Sequence, residues 1–423
     1  MRILIIADYL PYPLIGGDRI RIYNLIRRVA SRHEVSLAAS FVTADDAEGV
    51  SHLRQFCARV ETAGFERRSR LARVPGLLRY ALAGKPPELN LLHSEELRGK
   101  IRQLMTEMDF DIVQIEHARM SLYLEALPRN RSYKSILMFH NFTFQQYGRI
   151  SQIEPRWGRK LRALLNSVAM RRWEPRYAER FDRCTTVSEA DKRLLKKANP
   201  CLRVDVIPNG VDIQKYQPLP RESVSPSLLF IGNMEYPPCV DAVLYFWREI
   251  FPLIRRTIGA AEFWIAGRSP RPEILRLNGD GVHVTGRVDD VVPYYRQSAV
   301  CVVPLRAGGG TRLKILEAMA LGRPVVSTTI GCEGLDVVDG EHLLIADTPK
   351  QFAEKTLRLL TDRQLYQFIS AKGRQLVETR YDWDEIAGRL MEVYASMLER
   401  PDPLETKANR KRPRVGGADD VLH

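Results

Sequence analysis

Short apolar runs alternate along the chain with longer segments in which apolar residues recur at three- and four-residue spacing. Runs of the first kind predict buried strands and segments of the second kind predict amphipathic helices. Residues 2–7 (RILIIA), 34–40 (EVSLAAS), 135–139 (SILMF) and the beginnings of DIVQIEHARM (111–120), RCTTVSEADKRLL (183–195) and RVDVIPNGVD (203–212) read as strands. A helix with Ile20, Tyr23, Asn24, Ile26 and Arg27 follows the first of them. Two strands run into polar pairs, Glu116–His117 and His140–Asn141, positions suited to meeting a ligand. PLPRESVSP (218–226) has the composition of an inter-domain linker. Beyond it the alternation restarts with SLLFIGNMEYPP, AEFWIAGR (261–268), GVHVTGRVDD (281–290), AVCVV (299–303) and HLLIADTP (342–349), and helices over 350–361, 362–378 and 383–400 complete it. Strands alternating with helices in both halves predict an α/β protein of two Rossmann-like, doubly wound parallel-sheet domains. The divisions are 1–217, 218–382, a final helix at 383–400, and a basic tail at 401–423 whose composition predicts disorder.

The most informative stretch is 299–328, AVCVVPLRAGGGTRLKILEAMALGRPVVST. The strand ends at Pro304, Gly308, Gly309 and Gly310 make a loop, and a helix is predicted from near Thr311 to Leu321, stopped by Gly322 and Pro324. First-turn N–H groups have no partner inside a helix and the dipole is positive there, so a glycine loop feeding a helix N-terminus suits a phosphate. Arg312 and Lys314 add two cations, and Glu317 follows at i+3 from Lys314. Phosphate and sugar hydroxyls together would satisfy such a set. The plainer reading is a glycine-rich turn ahead of a solvated Lys–Glu pair. No Gly-Lys-Ser/Thr follows the glycines, so this is not a P-loop. Gly16 and Gly17 form a second glycine loop at the first strand-to-helix junction.

Composition narrows the picture. The 423 residues are 45% hydrophobic and 27% charged, as in globular proteins, and no run of about 18 apolar residues predicts a membrane span. MRILIIADYL reads as a first strand and not as a signal peptide. Six cysteines without a C-x-x-C pair predict reduced thiols in the cytoplasm and neither a disulfide framework nor a zinc site. The net charge of +13 leaves nucleic acid, an anionic membrane or a phosphorylated ligand as partners. The charge is clustered. Residues 65–85 hold six basic residues against one acid among exposed apolar ones, and residues 156–180 hold eight against two. In the second cluster Leu161, Leu164, Leu165 and Val168 fall at i, i+3, i+4 and i+7, which predicts a core face opposite a cationic one.

Taken together, GGGTRLKILEAMALGRPVVST with IGCEGL (330–335), VIPNGVD (206–212), TTVSE (185–189) and the first glycine loop resemble the retaining glycosyltransferases of family 4, enzymes of the GT-B fold. GNMEYPPCVDAVLYF is similar to the pattern GxMxxxPNxDAxxxF of one branch, with Pro238–Cys239 in place of Pro-Asn. The resemblance implies two domains facing across a deep cleft, with the last helix crossing back onto the first. It implies that Gly16, Gly17, Gly308, Gly309, Gly310, Thr311, Arg312 and Lys314 hold a donor diphosphate and Glu317 the ribose. His140 would lie near the transferred sugar and, with Arg312 and Lys314, serve catalysis. Gly232, Asn233, Glu235, Gly267, Arg268, Arg287 and Val288 would lie near the base or sugar. Gly309 stands where much of the family has a second glutamate, and Asn233 where it has an arginine.

The activity so implied is retaining glycosyl transfer from a UDP- or GDP-sugar to an acceptor hydroxyl, with no metal and no cofactor. The basic clusters point to a lipid-linked saccharide as acceptor, in exopolysaccharide or cell-envelope assembly, and to peripheral contact with an anionic membrane from the cytoplasmic side; nucleic acid is not expected as a partner. A nucleotide-sugar epimerase, or a non-catalytic carbohydrate- or nucleic-acid-binding scaffold, would fit the same fold.

Overall fold

The computed structural model describes residues 1–41, 46–64, 85–86, 89, 94–128, 132–220 and 225–399. The basic segment 65–85, except Lys85, and the tail 401–423 lie outside the described residues.

Two parallel sheets organise the chain. The first holds β1 (Arg2–Ala7), β2 (Glu34–Phe41), β3 (Arg59–Gly64), β4 (Ile112–Glu116), β5 (Lys134–Met138), β6 (Arg183–Thr186) and β7 (Val204–Val206), in the order β3-β2-β1-β4-β5-β6-β7. The second holds β8 (Ser227–Ile231), β9 (Glu262–Ala266), β10 (Val282–Gly286), β11 (Val300–Val303), β12 (Val325–Ser327) and β13 (Leu344–Ile345), in the order β10-β9-β8-β11-β12-β13. Central strands are apolar on both faces because helices cover both: Ile3 to Ala7 and Val300 to Val303 are buried throughout. Strand order reverses between β1 and β4 in one sheet and between β8 and β11 in the other. At such switch points the crossover helices leave to opposite faces, and a crevice opens beyond the carboxyl ends of the strands. Both predicted glycine loops leave from these points.

β3 and the helix Glu95–Glu107 escape the sequence pattern. β3 is an edge strand in which only Val60 and Ala63 are buried, so its apolar signal is weak.

The helix Trp157–Ala178 corrects an expectation. Leu161, Leu164, Leu165 and Val168 face outward, 41%, 49%, 61% and 49% exposed, and are not a core face. The buried side is Ala163, Met170 and Glu174, whose carboxylate accepts from the Thr143 and Phe144 N–H groups. Period 3.6 marks a stripe but does not say whether the stripe points inward.

The chain returns to the first domain at its end. Val211 and Tyr381 share a main-chain bond of 2.7 Å, and the helix Trp383–Leu398 lies along the helix Gly17–Val29. Trp383 and Ile386 close over Gly210, and the Tyr394 hydroxyl donates to Gln114 of β4. No helix among the described residues is long and apolar enough to cross a membrane.

Candidate active site

In the first domain, β1, β4 and β5 deliver a buried polar cluster to the switch point. His140, just past β5, hydrogen-bonds through Nε2 to Glu116 Oε2 at 2.5 Å, and its Nδ1 lies 3.8 Å from Asp18 Oδ1. Glu116 is fixed by Gln114, which donates to Oε1 at 2.5 Å and is itself held by Tyr394. Burial alone would lower the His140 pKa, but the carboxylates of Asp18 and Glu116 raise it above the ordinary histidine value. His117 packs on His140 with ring centroids 3.8 Å apart. Burial, then the charges of His140 and Arg119, push the His117 pKa well down, the opposite direction to its neighbour. Asp8 pairs with Arg119, and the Tyr9 hydroxyl donates to Asp18 Oδ2 at 2.8 Å. Gly16, with φ 98°, and Gly17 open the helix behind this cluster.

The second domain presents the other half. The helix begins at Leu313, two residues later than predicted, and runs to Ala320 with Arg312 at its N-cap. Arg312 folds back on its own loop, donating to the Gly309 carbonyl and, at 2.9 Å, to the Gly310 carbonyl. Lys314 crosses the Phe230 ring, its Nζ 4.1 Å from the centroid, and burial holds its ammonium below the ordinary lysine value. A Cβ on Gly232 would lie 2.9 Å from Cys239 Sγ and 3.2 Å from Lys314 Nζ, so the bare glycine keeps open the ground between them. Glu317 accepts from the Tyr295 hydroxyl at 3.4 Å, and burial raises its pKa.

The two halves touch. A Cβ on Gly310, whose φ is 71°, would come within 2.7 Å of the His140 carbonyl oxygen, so only glycine lets the loop approach that strand end. Gly17 faces Leu313 across the cleft, and Asn209 donates to the Thr311 carbonyl at 3.5 Å. Arg149 reaches from the helix Thr143–Ile153 to the Gly308 carbonyl at 2.8 Å and to both oxygens of Glu333. Around this seam Asp8 Oδ1, His117 Nε2, His140 Nδ1, Thr311 Oγ1 and Arg312 Nε and Nη2 are buried without a hydrogen-bond partner in the chain. Each orphaned group costs about 1–3 kcal/mol, so a concentration of them marks a place that a polar ligand completes.

Other residues singled out in the sequence stand apart. Gly232 and Gly267 meet back to back at the ends of β8 and β9, where a Cβ on Gly267, whose φ is 149°, would collide with the Gly232 carbonyl. Asn233 turns into its own loop, accepting from the Glu235 N–H at 3.0 Å. Glu235, Arg268 and Arg287 are exposed on the same sheet edge, with Val288 half-buried beside them. Gly309 abuts Asn141 and Gln146, and Gln146 in turn donates to the Tyr236 hydroxyl at 2.9 Å. These amides occupy the ground next to Gly309. Asp8, Asp18, Arg119, Arg149 and Glu333 were not singled out, because each is one charged residue in an ordinary helix or loop until the fold gathers it.

Asp18, His117 and His140 each offer one ligand atom within 4.8 Å of the others, a group the scattered sequence positions did not suggest. Two Asp-x-Asp triplets lie elsewhere: Asp111 accepts from the Arg2 N–H at the opposite end of the sheet, and Asp384 pairs with Arg28. A cavity of about 1080 Å³ opens on the flank of the seam, between Ile153–Arg159 and the helix Pro237–Tyr245, lined by Arg156, Arg159, Asp241, Arg271 and Arg306.

Residues 15–215 match the family model described as Glycosyltransferase Family 4, and residues 225–362 match that of Glycosyl transferases group 1. A phosphatidyl-myo-inositol mannosyltransferase of Mycobacterium leprae is 25% identical over 73% of this chain and 79% of its own. Sucrose-phosphate synthase of Thermosynechococcus elongatus superposes with a TM-score of 0.69 at 16% identity, over 94% of this chain and 99% of its own. HepE of Anabaena, solved with UDP and glucose, superposes with a TM-score of 0.62 at 18% identity, over 94% of this chain and all of its own, 100%. Two switch-point loops meeting across a seam, on sheets of this order, are the GT-B fold, and the chain belongs to glycosyltransferase family 4 as a glycosyltransferase.

Proposed function

We propose that this enzyme transfers a hexosyl group, with retention and without a metal ion, from a UDP- or GDP-sugar to a hydroxyl of a lipid-linked saccharide. The observation that carries the reading is the seating of the glycine loop 308–310, which leads into Arg312 and Lys314, against the His140 carbonyl, beside the His140–Glu116–Asp18 cluster. The diphosphate lies at the helix N-terminus with Lys314 and Arg312, Glu317 takes the ribose hydroxyls, and the sugar points to His140 and Asp18. As the anomeric C–O bond breaks, negative charge grows on the departing phosphate, where two cations and the helix dipole are already in place. The acceptor oxygen bonds to the anomeric carbon from the leaving-group face, and its proton passes to the departing phosphate oxygen. Configuration is therefore kept without a protein nucleophile. Asn141 and Gln146 take up sugar hydroxyls beside Gly309. That the mycobacterial relative is a phosphatidyl-myo-inositol mannosyltransferase supports a lipid acceptor, and the UDP and glucose of HepE support the donor class. The enzyme works at the cytoplasmic face of the membrane, in assembly of a polysaccharide.

A thermal-shift panel of UDP, GDP, ADP and their sugars, repeated with chelator present, tests this. One nucleotide class is expected to stabilise the protein by about 2.7 kcal/mol at 100 times its dissociation constant, with or without chelator. No shift with any of them would remove the donor site, and a shift abolished by chelator would remove the metal-free mechanism.

A further inference from the structure

The outward stripe of the helix Trp157–Ala178 is the largest feature that the catalytic reading leaves unused. Trp157 is 75% exposed, and Leu161, Leu164, Leu165 and Val168 continue the stripe. At about 100° per residue these five fall within an arc of about 100°, opposite the buried Ala163, Met170 and Glu174. Large apolar side chains normally face solvent one at a time, as Leu14, Trp247, Leu275, Val338 and Phe368 do here. Five on one helix face constitute a surface built for a partner.

The charges identify that partner. Between Trp157 and Trp173 the helix carries Arg159, Lys160, Arg162, Arg171 and Arg172 and no acidic residue. Lys160 and Arg171 flank the stripe on one side and Arg162 on the other. An apolar stripe edged by cations matches the boundary between acyl chains and anionic headgroups, where long basic side chains reach up to phosphate while the apolar face sinks. The stripe also starts beside Arg156 and Arg159, which line the flank cavity between the domains.

We propose that this helix docks the protein on an anionic lipid surface, with Trp157, Leu161 and Leu165 inserted and the flanking Lys160, Arg162 and Arg171 on the headgroups. This sets the flank cavity at the membrane, so that an acceptor can keep its lipid in the bilayer while its saccharide enters the cleft. That last step rests on the function proposed above; the docking itself does not.

Sedimentation of the full-length protein with vesicles of phosphatidylcholine, with and without phosphatidylglycerol, at low and physiological salt, tests the docking. Binding is expected only to the anionic vesicles and is expected to weaken with salt. The combined variant Trp157→Ser/Leu161→Ser/Leu165→Ser is expected to bind roughly tenfold or more weakly, with unchanged thermal stability and unchanged stabilisation by sugar nucleotide. Lys160→Glu/Arg162→Glu/Arg171→Glu is expected to lose the preference for phosphatidylglycerol. Failure of the wild type to bind, or equal binding by the apolar variant, overturns the proposal. So does a wild-type dimer in light scattering that the apolar variant dissolves, since a second copy would then cover the stripe. Docking without any nucleotide stabilisation would instead leave this proposal standing and sink the catalytic one.

Discussion

His140 sits between two carboxylates, and that placement has a consequence that can be measured. Its pKa is raised above the ordinary 6.5 by Asp18 and Glu116 against the effect of burial. A group whose folded-state pKa is raised contributes stability that is fully present below its unfolded pKa and is lost as pH rises through the folded one. His140→Gln is therefore expected to cost most thermal stability below the ordinary histidine value of 6.5, with the deficit narrowing as pH rises above it. A deficit constant with pH would mean that His140 titrates in the folded protein as it does in the unfolded chain. His117, its pKa pushed the other way by burial and by the charge of His140, contributes with the opposite sign. His140 was legible in the sequence because it follows an apolar strand. Its partners were less so: Glu116 carried the same signal on β4, but Asp18 lies in a helix start with nothing local to mark it.

At the scale of elements, the switch-point edges of the two sheets do the positioning. β8 and β9 come so close at their carboxyl ends that Gly267 lies against the Gly232 carbonyl, and this closeness leaves the space that Lys314 reaches into. Gly267→Ala must push the strands apart at a φ of 149°. The expected cost is about 2 kcal/mol or more, a fall of about 5 °C or more in the melting temperature of a domain this size. Gly259→Ala, where nothing lies near the added atom, is the control and is expected to be near neutral. Equal behaviour of the two would contradict the packing described. The elements themselves were mostly legible, since apolar runs and helical periods recur in step through both domains. The outward stripe of Trp157–Ala178 was not, because its spacing is that of a core face and only the packed neighbour, the helix Thr143–Ile153, decides which side is buried.

At the scale of the molecule, the proposed function needs two half-sites that the sequence places some 170 residues apart, at His140 and Lys314. The two differ in chemistry: the first holds carboxylates and imidazoles, and the second holds cations and a helix N-terminus. Arg149, which bonds the Gly308 carbonyl and Glu333, and Tyr394, which returns from the last helix to the Gln114–Glu116–His140 chain, tie the halves into one arrangement. Long-range ties of this sort leave no local pattern, which is why motifs revealed the glycine loops and the fold but not what secures them.

The central claim is that leaving-group charge is carried by the second half-site, and turnover of the preferred sugar nucleotide by Lys314→Ala measures it most directly. With the donor identified by the thermal-shift panel, the variant is expected to keep its fold and lose roughly 100-fold or more in kcat, the scale of one transition-state charge contact. Turnover by Lys314→Ala within a few-fold of wild type would contradict the account.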